Sequence, residues 1–425
     1  MYELIVFFSF LFFWVSVSLK YKTYTSPIMF FVLAYCLHTF PGALSLVWLS
    51  EIKTSIESKH LAMLWVSITY IAFSIPFFGF NRVKFNSNPT VEISINNRAS
   101  ILIISFMFFM TFKYIYETGA FKALQYALSG DIVSAYLIRT SISNGYGEGQ
   151  FLATFSFRYL GPLICAIYYA KYLRFKKPED KNIMTLSVLM TLVPSLLLVQ
   201  KYYIVQLFLI LFLVRVFVLK IKLNLAKIIA LILLGIVVIS LLVIFYKGFV
   251  WERLITTPIN VFRRIFIVNV DVLSAYAQFY IDGNELFLGA ATPNYGNLFP
   301  YERFMETRVI FDEYIAKSDN LEAGMKGSAP TNFFGNLLIN FDYIGAIIIT
   351  LFLGTTISII FKFLEAQIDK GCTFSCGLSA YLTVFIVEIG NGSLFQTFNY
   401  ITLFNFGIVG SLLIVVLMLR FRIKK

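Results

Sequence analysis

The sequence predicts an all-α fold: a polytopic transmembrane bundle of about 11 spans with one large extracytoplasmic loop. Three observations predict it. Of 425 residues, 59% are hydrophobic and only 14% are charged, and the mean hydropathy is +0.79. A soluble chain of this length has too little interior to hide so much apolar side chain. The charges gather between apolar runs of span length. The basic ones recur in alternate loops, which orients the chain with its N-terminus outside and its C-terminus inside.

Spans are read at 2–19, 27–50, 60–80, 99–117, 152–174, 182–199, 202–219, 227–246, 341–363, 372–390 and 399–419. A helix alone satisfies its own backbone across hydrocarbon. The first run lacks the preceding positive charge of a signal peptide, and Lys20 and Lys22 follow it, so it reads as a first membrane helix. The 182–219 pair is a tight hairpin about Gln200 and Lys201. Lys20/Lys22, Arg82/Lys84/Arg98, the cluster from Lys171 to Lys181, Lys220/Lys222/Lys227, Lys362/Lys370 and the tail Arg420–Lys425 alternate consistently and are read as cytoplasmic. The membrane is accordingly read as a bacterial cytoplasmic (inner) membrane.

Three parts follow: 1–246 with spans one to eight, a loop at 247–340, and 341–425 with the last three spans and the basic tail. The loop carries many aromatics, from Trp251 to Tyr314, which a disordered linker would lack. Thr257-Pro258 reads as an N-cap and first helical position. The helix it opens should run to about Asp282-Gly283, lie in the interface, and place Arg264 and Asp271, seven apart, on one face.

Composition excludes several functions. The formal charge of +12 resides in loops on one side, without a basic stripe among exposed aromatics, so nucleic acid is not a partner. Cys36, Cys165, Cys372 and Cys376 lie in or beside apolar runs, and only His38 and His60 could join them, so no metal site is expected. No Walker-type phosphate loop, GxGxxG or nucleophile elbow is present, and no cofactor is implied. No run of acids inside the spans marks an ion pathway, and Arg215 near a helix end can snorkel.

What remains is a set of cations on the outer side: Arg139, Arg158, Lys201, Arg253, Arg264 and Arg303. Guanidinium binds phosphate oxygens bidentately and stays charged, so a clamp of this kind suits a lipid-linked diphosphate and stabilises it as a leaving group. A sugar-transfer reaction also needs a base for the acceptor hydroxyl. Glu302, Asp312 and Asp271 are the candidates, the first two set among aromatics that can stack on sugar rings.

The stretch Gly327-Ser328-Ala329-Pro330-Thr331-Asn332-Phe333-Phe334-Gly335 through Asn340-Phe341-Asp342-Tyr343-Ile344-Gly345, with Lys201 before Tyr202-Tyr203 and Arg139 before a glycine-containing run, resembles Wzy-type O-antigen and capsule repeat-unit polymerases. The resemblance covers the whole chain as layout and about 20 residues as motif. It implies polymerisation of undecaprenyl-diphosphate-linked oligosaccharides for lipopolysaccharide or capsule, with membrane lipid and a polysaccharide chain-length regulator as partners. The related ligases carry a histidine motif in the large loop, and neither histidine here lies in it. A lipid-linked oligosaccharide flippase and another lipid-dependent glycosyltransferase or ligase are the alternatives.

Overall fold

The computed structural model describes residues 1–18, 26–80, 96–131, 134–135, 137–138, 150–198, 200–247, 251–292, 294, 305–316, 329–390 and 400–422. Among these the chain is helical and contains no strand. In order the helices are α1 (Tyr2–Ser18), α2 (Pro27–Leu49), α3 (Ile56–Phe80), α4 (Asn97–Glu117), α5 (Phe121–Leu128) and α6 (Gln150–Phe175). Then follow α7 (Pro178–Leu197), α8 (Lys201–Leu219), α9 (Leu225–Lys247), α10 (Trp251–Phe266), α11 (Val268–Ile281), α12 (Glu306–Ile310), α13 (Phe333–Asp369), α14 (Thr373–Gly390) and α15 (Tyr400–Arg422).

Among the described residues the apolar runs of the sequence are mostly helical. Seven of the described helices are long and apolar enough to cross a membrane: α2, α3, α4, α6, α8, α9 and α13. The described apolar parts of α1, α14 and α15 are shorter. Leu102 on α4 and Phe352 on α13 are 71% and 68% exposed, as lipid-facing residues are.

Two ends of the bundle are distinguishable. At the lower end Arg174 bonds the carbonyl of Gly371, the Lys220 ammonium reaches the Asp369 carbonyl, and Asn97 donates to Glu179. At the upper end the ring of Tyr2 stacks on His60, and the link between α2 and α3 passes over the top. Since α6 and α8 finish at the lower end, Arg158 and Lys201 lie toward the upper one. Close helix crossings need residues without side chains: a Cβ on Gly377 of α14 would lie 2.7 Å from the Ala166 carbonyl oxygen of α6.

The 37-residue segment α13 is not one rod. At Asp342 the backbone takes φ 55° and ψ −176°. The Phe333 ring lies 5.5 Å from that of Phe73, and a Cβ on Gly354 would sit 2.9 Å from the same ring. In a continuous helix residues 333 and 354 would be about 30 Å apart. The chain therefore reverses at Asp342. A short first limb (333–341) climbs from the level of Phe73 to the upper end, and the long second limb descends beside α3. Residues 333–340 are all buried, because this limb packs among α2, α3 and α11. Irregular backbone at such depth is tolerated only inside protein.

The helix expected from Thr257 to about Asp282 is two helices. The first starts earlier, at Trp251, and carries Pro258 in its interior. Trp251, Ile255, Ile259 and Phe262 form one exposed apolar face, an interfacial stripe that begins before the proline. The break falls at Ile267. There the Phe266 and Ile267 carbonyls rest on Gly42, where a Cβ would lie 2.8 Å from the first, and His38 Nδ1 donates to the Ile265 carbonyl at 2.9 Å. Carbonyls freed at the helix end thus find partners on α2.

Candidate functional site at the upper end

The first group of site residues is organised by a single π turn, Ser156–Leu160, inside α6. Such turns insert one residue into a helix and re-aim its side chains. Here the turn directs Arg158 onto Tyr203, with the guanidinium carbon 4.5 Å from the ring centroid, while Phe157 meets the same ring edge-on at 5.6 Å. Tyr203 stands in the first turn of α8, which Lys201 opens. Gln200, at the N-cap, makes no side-chain cap bond. Backbone N–H groups at a helix start carry partial positive charge. A lysine there is unfavourable by itself and becomes useful only when an anion is shared. Next to the π turn, Gly161 allows α7 to approach: a Cβ would lie 2.4 Å from Thr191 Oγ1.

Among the described residues the other sequence-derived cations stand on a different helix. Arg253 and Arg264 lie on α10, the first half-buried and the second exposed. Arg139 and Arg303 lie outside the described residues, as does Glu302. Arg264 and Asp271 do not share a helix face, because the break at Ile267 separates them. Arg263 occupies the position expected for Arg264: it pairs with Glu51 and donates to the Leu49 carbonyl at 3.2 Å.

Asp271 is 3% exposed. Its carboxylate accepts from the Ser50 hydroxyl at 2.6 Å and from the Glu51 backbone N–H at 3.0 Å, so it fastens the link after α2. Burial raises its pKa; the Ser50 hydrogen bond, a backbone hydrogen bond and the charges of Lys59 and Arg263 oppose that rise. Asp312 sits in a π turn, Phe311–Ile315, half-buried and 3.6 Å from the Arg308 guanidinium.

Sequence reasoning passed over a carboxylate at the other break. Asp342 is exposed at the tip of the α13 reversal and accepts from the Tyr280 hydroxyl at 3.1 Å. Below it, three asparagines follow at intervals of four. Asn332 donates to the Tyr35 hydroxyl at 2.9 Å, Asn336 to the Tyr276 hydroxyl at 3.1 Å, and Asn340 to the Asn336 carbonyl at 2.8 Å. Burial pushes the Tyr276 phenol well above its ordinary range, and the charge of Glu306, itself 1% exposed, adds to the rise. The N-x-x-x-N-x-x-x-N spacing was readable as one polar helix face; its burial was not. Among the described residues no cluster of three or more His, Cys, Asp or Glu could hold a metal ion.

Comparison with protein-family models, with curated proteins and with solved structures finds no match to this chain.

Proposed function

We propose that the chain is a multi-pass enzyme of the bacterial cytoplasmic membrane that joins polyprenyl-diphosphate-linked oligosaccharide repeat units at the outer face. In this reading the bundle has about 11 spans, with the N-terminus and the upper end outside and the basic lower end in the cytoplasm. The observation that carries the reading is the meeting of Arg158 and the first turn of α8 at the upper end. The Arg158 guanidinium lies on Tyr203 in the turn that Lys201 opens, and cationic side chains beside a helix start suit a diphosphate.

The step needs little else. An acceptor hydroxyl loses its proton to a carboxylate, and its oxygen bonds the anomeric carbon of the donor glycan. The bond from that carbon to the diphosphate breaks, and the lipid diphosphate departs with the electron pair. Arg158 and Lys201 then face a charge that grows as the bond breaks, which is where preorganised cations lower a barrier.

One observation favours a second reading as a flippase. The first limb of α13 is a short helix that reaches the level of Phe73 in the interior of α3, a construction that transporters use at substrate sites. Glycan profiling of cells lacking the protein decides between the two. Collapse of a polymer ladder to single repeat units supports the polymerase. Repeat units retained on lipid at the inner leaflet support the flippase and remove the polymerase.

A further inference from the structure

The reversal at Asp342 does more than turn the chain. The Trp65 indole N–H donates to the Tyr343 hydroxyl at 3.0 Å, and the Tyr280 hydroxyl donates to Asp342. Each phenol is therefore pinned through its oxygen. The Tyr280 ring stands edge-on to Trp65 and Tyr343, with centroids 6.0 and 5.8 Å away. Trp65 is buried beneath, while Tyr280 and Tyr343 are each partly open. One turn beyond Tyr280 the arrangement repeats: the Tyr314 hydroxyl donates to Asp282 at 2.8 Å and accepts from Asn284 at 3.3 Å, and Gln278 donates to the other Asp282 oxygen at 2.7 Å. The result is a row of fixed aromatic rings edged by carboxylates and amides.

Two features mark this row as built for a ligand. The first is strain. Asp342 is not glycine, yet it holds a positive φ that L residues avoid, at a cost of about 1–3 kcal/mol. The second is chemistry. The C–H face of a sugar ring is apolar and slightly positive and suits the negative face of an aromatic ring, while its hydroxyls suit carboxylate and amide oxygens. Charge narrows the choice. The stretches 278–288 and 341–344 hold Asp282, Glu285 and Asp342 and no Lys or Arg. Arg308 nearby is paired with Asp312, while Lys53 stands on the link bonded to Gln278 and Lys59 in the first turn of α3. A uronic acid or phosphate would therefore be repelled at the Asp342–Asp282 edge itself.

We infer that this shelf binds the saccharide part of the substrate and selects neutral sugar rings over acidic ones. The inference rests on the reading above for the presence of a glycan at this end. The shelf lies among α3, α11 and α13, and Arg158 lies between α6 and α8, so the shelf holds sugar rings at a distance from the diphosphate and is a binding surface, not the reacting centre.

The test is direct binding to the full chain in lipid nanodiscs, read by saturation-transfer NMR against a panel of neutral and uronic-acid tetrasaccharides. Neutral members should bind, and Tyr280→Ala should weaken them about ten-fold. Tyr280→Phe, which keeps the ring, should retain most of the binding and shows that the fold survives. Asp342→Asn should narrow the preference for neutral over acidic sugars. Binding of acidic sugars as tight as that of neutral ones, no binding by any member, or Tyr280→Ala indistinguishable from wild type overturns the shelf. The two proposals fail separately. Cells that make a normal ladder with a Tyr280→Ala protein that binds no sugar remove the shelf alone. A protein that binds neutral sugars through Tyr280 but whose loss leaves the ladder intact removes the polymerase alone.

Discussion

The upper end carries two candidate sites built on two different breaks in a helix. At the π turn of α6 the helix continues and only the aim of its side chains changes; what is aimed is a cation, Arg158, at the ring and helix start of α8. At Asp342 the helix reverses, and what is presented is an acid among rings. The first site accumulates positive charge from side chains and backbone alike. The second avoids it. Two regions of one surface thus differ in sign, and a ligand that is anionic at one end and neutral at the other would satisfy both. A glycan on a lipid diphosphate has that form.

The largest effect that can break this comparison is at Arg158. Arg158→Ala removes the cation on Tyr203, and polymer yield in complemented cells should fall about 100-fold or more if the group stabilises a leaving diphosphate. Arg158→Lys keeps the charge but not the planar fork that stacks and binds two oxygens, so it should recover only a minor part. Lys201→Ala should be milder, since a lysine at a helix start is already opposed by the dipole. Full activity of Arg158→Ala, with the protein present in the membrane at normal amounts, would show the cation to be structural.

The two breaks also mark where the sequence stops being legible. Apolar runs announce the helices because span length and lack of charge suffice in lipid. The reversal in Phe341-Asp342-Tyr343 has neither glycine nor proline at its turning residue. It is held by the Tyr280 hydroxyl, from a helix 62 positions earlier in the chain. The break at Ile267 likewise depends on Gly42 and His38 of α2, and without it Arg264 and Asp271 look like partners. Arg158 stood out as a charge inside an apolar run, which is a local signal. Asp342 did not, because its meaning lies in its backbone angle and its tertiary partner.

That backbone angle gives a second prediction, smaller and confined to stability. Asp342→Gly and Asp342→Ala both lose the bond from Tyr280, so their difference isolates the strain. Glycine occupies positive φ freely and alanine does not, so the glycine variant should be the more stable by about 1–2 kcal/mol, measured as a difference in thermal midpoint in nanodiscs. Both should lose discrimination at the shelf. Equal stability of the two would mean that the reversal carries no strain and that its marking of a site is spurious.

The smallest effect contrasts two of the acids that bond hydroxyls at this end. Asp271 is buried and committed to Ser50 and Glu51, whereas Asp342 is exposed and has one oxygen to offer. Burial raises the Asp271 pKa above its unfolded value, so the folded state holds this proton more tightly than the unfolded state. The stabilisation is complete below the unfolded value of about 3.9 and is lost as pH rises through the folded pKa, because the unfolded chain then releases its proton first. Asp271→Asn, which cannot ionise, should lack this decline. Its thermal midpoint should gain on wild type, by no more than a few degrees, as pH is taken from about 4 to about 7. It should still support polymer formation, because the carboxylate faces the link after α2 and not an open surface. Loss of polymer with Asp271→Asn at unchanged stability would single out Asp271 among the candidate bases.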